Sequence, residues 1–264
     1  MKAKLLLLVA ALSIFSACKN PNDNSLNIFS IEDDKDLGAK VNAEIQANPQ
    51  EYPVLSRSQY PQSYAYVEAM RNKILNGGNV FYKDEFVWEV YIINDDNVVN
   101  AFCTPGGYIY IYTGLIKFLD AEHELAGVLG HEMAHADRRH STDQLTKVYG
   151  LQFLLDILLG DNQNNITNIA ATLVTLSFSR SNETEADTYS VNYLCPTDYR
   201  ADGAAAFFQQ LLDGGQGGGP PVFLSTHPDP GNRIQNITEQ RTEQGCTGTG
   251  TFDTEYANFK STLP

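Results

Sequence analysis

The chain has 264 residues, the length of one domain with small additions, and its 42% hydrophobic and 19% charged content belongs to a folded protein. Eighteen basic against 32 acidic residues leave a formal net charge of -14. That balance weighs against a nucleic-acid surface, which needs clustered Lys and Arg, and against an electrostatic grip on anionic lipid.

Residues 1–17 read as an export signal. Lys2 and Lys4 precede an apolar run over residues 5–15, which is too short for a permanent membrane span. Ser16 and Ala17 lead into Cys18. This resembles the bacterial lipobox, whose cysteine is lipidated, although Phe15 stands where a smaller aliphatic residue is usual. Residues 18–30 are then a polar tether and residues 31–264 the folded domain. Helical spacing of Leu37, Val41 and Ile45 predicts a helix over 34–47, broken by Pro49 and Pro53. Tyr66, Met70 and Ile74 predict another over 63–75, ended by Asn76-Gly77-Gly78-Asn79. Residues 86–93, 98–102 and 108–112 are rich in β-branched and aromatic residues and read as three strands of a small antiparallel sheet. Thr104-Pro105-Gly106-Gly107 is the turn between the last two.

Helices resume over 121–138. Two apolar helical stretches, 145–159 and 166–178, are too short or too interrupted to cross a bilayer and read as buried core helices. Further helices are expected over 183–193, 201–212 and 230–243, with a Gly/Pro loop at 216–221. The fold class is therefore α+β, mostly helical. An exported chain permits disulfides. Three cysteines follow the tether; Cys195 and Cys246, both beside turn residues, are the favoured pair, leaving Cys103.

The chemistry sits in His131-Glu132-Met133-Ala134-His135. Four residues apart on a helix, both imidazoles face one side and reach one metal ion. Glu132, beside the first ligand, is placed to take a proton from an attacking water and pass it to a leaving amine. A catalytic zinc has a third protein ligand. Glu183, in Ser179-Arg180-Ser181-Asn182-Glu183-Thr184-Glu185-Ala186-Asp187, is the downstream candidate; spacing alone leaves a solvated carboxylate equally open. Asp187, four residues on, is placed to hold a ligating histidine by hydrogen bond, while Glu185 should face elsewhere. His123 and His140 fall outside the ligand spacing and read as solvated helix-end histidines.

These residues resemble the gluzincin peptidases of clan MA, family 48, which include HtpX-like proteases, CAAX prenyl proteases and BepA-like periplasmic proteases. The resemblance rests on Asn100-Ala101-Phe102 with Pro105-Gly106-Gly107, the His131–His135 motif, the Glu183–Asp187 segment, and Thr226-His227-Pro228 with Arg233. It implies a zincin fold, one zinc ion held by His131, His135 and Glu183, and Glu132 as general base. It implies that Tyr108, Ile109 and Tyr110, or a neighbouring strand, offer an edge to extended substrate. For His227 it implies either an oxyanion-stabilising role or occupation of the open metal position that holds the enzyme inactive. Arg233 would orient the site or anchor its helix. The function implied is a zinc metalloendopeptidase acting on unfolded or misassembled proteins of the bacterial cell envelope, periplasm-facing or on the outer membrane, in quality control. Its membrane contact would be through the lipid anchor only, with no nucleic-acid partner. The alternative is a chaperone or assembly factor with latent, His-capped protease activity.

Overall fold

The computed structural model describes residues 29–160, 163–213, 222–228 and 232–264. Ser30 accepts the Asp33 N–H, and the Asp33 carboxylate accepts the Ser30 N–H. This reciprocal cap starts α1 (Ile31–Ala47) ahead of the expected residue 34. Proline opens α2 (Pro61–Asn76), where its missing N–H costs nothing. Leu37, Val41 and Ile45 of α1, and Met70 and Ile74 of α2, are buried as their spacing requires.

Three strands follow: β1 (Glu89–Ile93), β2 (Ala101–Thr104) and β3 (Tyr108–Tyr112), with a 3-10 turn at Pro105–Gly107. Their order is β1-β3-β2. The turn makes β2 and β3 an antiparallel hairpin, but β1 pairs parallel to β3. The sheet is therefore mixed, not antiparallel throughout, because residues 94–100 cross from β1 to the far side of the hairpin. Strand β1 begins later than residue 86 because Trp88 adopts φ 48 and turns its ring into the core. In Tyr-Ile-Tyr-Ile-Tyr of β3, the isoleucines face a core shared with Leu125 and Leu129. The tyrosines face a second core with Leu37 and Val41. Both faces are covered, so every residue of β3 is buried.

The central position of β3 overturns one expectation: Tyr108, Ile109 and Tyr110 are hydrogen-bonded on both sides and offer no free edge. The edge beside the motif helix belongs to β2. Since the Tyr112 N–H bonds Asn100 O, alternation turns the backbone of Ala101 and Cys103 outward.

Past the sheet lie α3 (Thr113–Phe118) and α4 (Glu122–Asp137). Helix α4 is buried at every position, and its Glu124 carboxylate accepts the N–H groups of Asp120 and Ala121. The expected helix over 145–159 is divided at Gly150 (φ 79) into α5 (His140–Tyr149) and α6 (Leu151–Leu159). Only one face of α6 is core: Leu154 and Ile157 are buried, whereas Leu159 is 86% exposed. The remaining helices are α7 (Gln163–Val174), α8 (Arg180–Leu194), α9 (Gly203–Leu212), α10 (Val222–Thr226), α11 (Arg233–Glu243) and α12 (Asp253–Lys260). Helices α3, α10 and α12 were not anticipated. A disulfide joins Cys195 to Cys246, tying the end of α8 to the segment after α11, and Cys103 is a buried thiol. Among the described residues no helix is long and apolar enough to cross a membrane. The signal segment, Cys18, the tether up to residue 28, the Gly/Pro loop and Pro230 lie outside them.

Candidate metal centre

Helix α4 is clamped before it carries any chemistry. A Cβ on Gly127 would lie 2.1 Å from Ala204 N, so α9 approaches α4 backbone to backbone. Ser190 of α8 donates its hydroxyl to Gly127 O at 2.8 Å. This packing aims His131 and His135 at α8, where the Ser179 cap starts the helix that carries Glu183. Short α10 then delivers His227. One donor atom from each of His131, His135, Glu183 and His227 lies within 4.8 Å of the others, and all four residues are buried.

Their separations fit a metal. His131 Nε2 and His135 Nε2 are 3.0 Å apart. Glu183 lies 3.4 Å from each of these nitrogens. His227 Nδ1 lies 3.3 Å from His131 Nε2 and 3.2 Å from Glu183 Oε1. A tetrahedron with zinc-type bonds of about 2.0–2.1 Å has edges of about 3.3 Å. Two imidazoles and a carboxylate at that spacing are a zinc donor set, and His227 stands at the fourth corner.

The surroundings set each group's charge. Asp187 Oδ1 is 2.9 Å from His131 Nδ1, which directs His131 Nε2 to the cluster as an acceptor. Arg233 holds Asp187 at 2.6 and 2.8 Å and comes within 2.9 Å of Glu183 Oε2. Burial alone would depress His131, but its bonds to Asp187 and Glu183 outweigh this and raise it to about 9 without metal. Burial keeps His135 well below its ordinary value. Burial pushes against ionisation of Glu183, yet the neighbouring histidines hold it well below the usual carboxylate range. Glu132 is fully buried and raised by that burial. Its oxygens make no hydrogen bond among the described residues, and the nearest charge partner is His227 Nε2 at 3.4 Å. A carboxylate kept dry and raised in this way holds a proton more readily than an exposed one, which suits a general base.

The structure thus brings together His131, Glu132, His135, Glu183, Asp187, His227 and Arg233. It separates Tyr108, Ile109 and Tyr110 from them as a central strand. Two sequence readings need correction. His123 is buried, only 4% exposed, not solvated. His140 is buried too, and its Nδ1 sits 3.0 Å from His135 Nδ1. Glu185 does face away from the cluster, toward Arg138 and His140. Burial pushes the Cys103 thiol far up, which removes it as a nucleophile.

Comparison with known proteins agrees with this geometry. Residues 48–241, well over half the chain, match peptidase family M48. The mitochondrial metalloendopeptidase OMA1 of Arabidopsis thaliana is 35% identical over 155 residues, 58% of this chain and 31% of that protein. The beta-barrel assembly-enhancing protease of Escherichia coli (strain K12) is 31% identical over 159 residues, 54% of this chain and 32% of its own length. Metalloprotease YcaL of the same organism is 26% identical over 261 residues, 90% of this chain and 96% of that one. The chain spans about a third of the first two relatives and nearly all of the third. With the family pattern covering the sheet, the motif helix and the Glu183 helix together, this chain belongs to peptidase family M48.

Proposed function

We propose that the chain is a zinc-dependent metalloendopeptidase that cleaves unfolded or misassembled proteins of the bacterial cell envelope. It would reach them as a lipoprotein anchored through Cys18, periplasm-facing or on the outer membrane. The observation that carries the reading is the pairing of a buried His131–His135–Glu183 donor set with the unbonded Glu132 carboxylate beside it. The name of the beta-barrel assembly-enhancing protease supports the substrate class, and that of metalloprotease YcaL supports the metal-dependent protease reading.

His131, His135 and Glu183 would hold the ion. When bound, zinc polarises a scissile carbonyl and lowers the pKa of water. Glu132 takes the proton of the attacking water and returns it to the leaving amine nitrogen. Asp187 keeps the His131 proton on Nδ1, and Arg233 holds both Asp187 and Glu183 in place. Extended substrate would add along β2 at Ala101, whose backbone turns away from β3, because the outward Cys103 O already accepts the Ser141 hydroxyl. Removing metal should abolish cleavage of casein by the full chain, and zinc should restore it. Cleavage that survives metal removal would overturn the proposal.

A second reading has an observation of its own. His227 fills the fourth corner of the donor set, and the Phe223 N–H donates to Val99 O, just ahead of β2. Both contacts lie where substrate would bind, as expected of a chaperone or assembly factor with latent protease activity. His227→Ala separates the two. Casein cleavage that rises in the variant supports latency, and cleavage that is lost gives His227 a catalytic role.

A further inference from the structure

We propose that His140 is a positioning residue that dictates which nitrogen of His135 faces the metal. This rests on reading His135 as a metal ligand. His135 turns Nε2 toward His131 and Glu183, so that nitrogen must carry a lone pair to bind metal. Its proton is then on Nδ1. The atom facing it is His140 Nδ1, 3.0 Å away, which must therefore be an acceptor. His140 in turn carries its proton on Nε2, directed at Glu185 Oε2 at 3.4 Å. Glu185 accepts from Arg138 Nε at 2.7 Å through its other oxygen. With both rings neutral, the Glu185 carboxylate facing His140 Nε2 fixes the order of protons, and that order leaves His135 Nε2 free for metal.

The other ligating histidine has the same support in shorter form. His131 Nδ1 meets Asp187 directly, and Arg233 holds Asp187. No carboxylate reaches His135 Nδ1 within the described hydrogen bonds; His140 bridges the gap to Glu185. Each ligand thus ends, through a carboxylate, on an arginine.

Backbone geometry explains why an imidazole five residues downstream can do this. On an unbroken helix His140 would point about 140° away from His135. The helix ends at Asp137, and Arg139 takes a left-handed conformation (φ 61) before α5 begins. Left-handed backbone is uncommon for a residue with a side chain. Here Arg139 is held by ion pairing to Asp34 at 2.5 Å and by a bond to Phe29 O at 2.6 Å. The break turns His140 back onto His135, where it is 1% exposed.

The test compares the full chain with His140→Phe, which keeps the ring but has no acceptor, and His140→Asn, whose amide oxygen replaces Nδ1. Zinc affinity is read by chelator competition, ligand geometry by the visible spectrum of the cobalt-substituted protein, and folding by circular dichroism. His140→Phe is expected to weaken zinc by about 10- to 100-fold and shift the cobalt bands, and His140→Asn to recover most of both. Should His140→Phe not fold, Glu185→Leu, which cuts the relay without touching His135, is expected to weaken zinc in the same direction. Wild-type zinc affinity and cobalt bands in His140→Phe would overturn the inference. So would a folded His140→Asn as weak as His140→Phe. A wild-type chain that binds no zinc would instead overturn the ligand reading beneath it.

Discussion

Single residues of α4 show how burial sets behaviour outside the chemistry. His123 is buried, and neither ring nitrogen makes a hydrogen bond among the described residues. Burial, with the charge of Arg200, lowers its pKa below 6.5. The unfolded chain therefore takes this proton before the folded chain does. Stability from this group is complete above pH 6.5 and is lost as pH falls toward the depressed folded value, with a slope of at most about 1.4 kcal/mol per pH unit. Urea unfolding of wild type and His123→Asn at pH 8 and pH 5.5 should show a smaller acid loss in the variant. Equal losses would contradict the burial argument. The sequence alone could not show this, because a histidine near a helix start is ordinarily wet. Segments distant in sequence converge on His123: an added Cβ on Gly203 would lie 1.8 Å from His123 O, and Thr251 O accepts the His123 N–H.

Among the elements, the crossing of α4 with α9 holds the metal-binding face in register. In an exposed helix, Gly→Ala gains about 1 kcal/mol of propensity. At Gly127 the added methyl would meet the backbone of Gly203 and Ala204, which cannot rotate away. Overpacking of this kind costs about 1–3 kcal/mol, so the clash wins. Gly127→Ala should lower the melting temperature, and unchanged or raised melting would show that α9 yields. The elements also show what patterning reveals. Four-residue spacing placed His131 with His135, and Glu183 with Asp187, because each pair shares an unbroken helix. It misplaced His140 because the left-handed turn at Arg139 lies between them. Its β-branched and aromatic content identified β3, but strand order depends on non-local pairing. The edge therefore moved to β2, and β1 turned out parallel.

At the scale of the molecule, the site draws on α4, α8, α10 and α11. The Cys195–Cys246 disulfide spans 51 residues and ties α8 to the chain after α11, which suits an exported protein. It links the helices that carry Glu183, Asp187 and Arg233. The metal and the carboxylate beside it can be separated experimentally, because Glu132 is not in the donor set. Zinc content and casein cleavage should be measured on residues 19–264, wild type and Glu132→Gln. One zinc per chain is expected in both proteins, with cleavage only in the wild type and a loss of about 100-fold or more in the variant. A folded wild type never exposed to chelator that holds no zinc, or a Glu132→Gln variant that cleaves like wild type, would contradict the account.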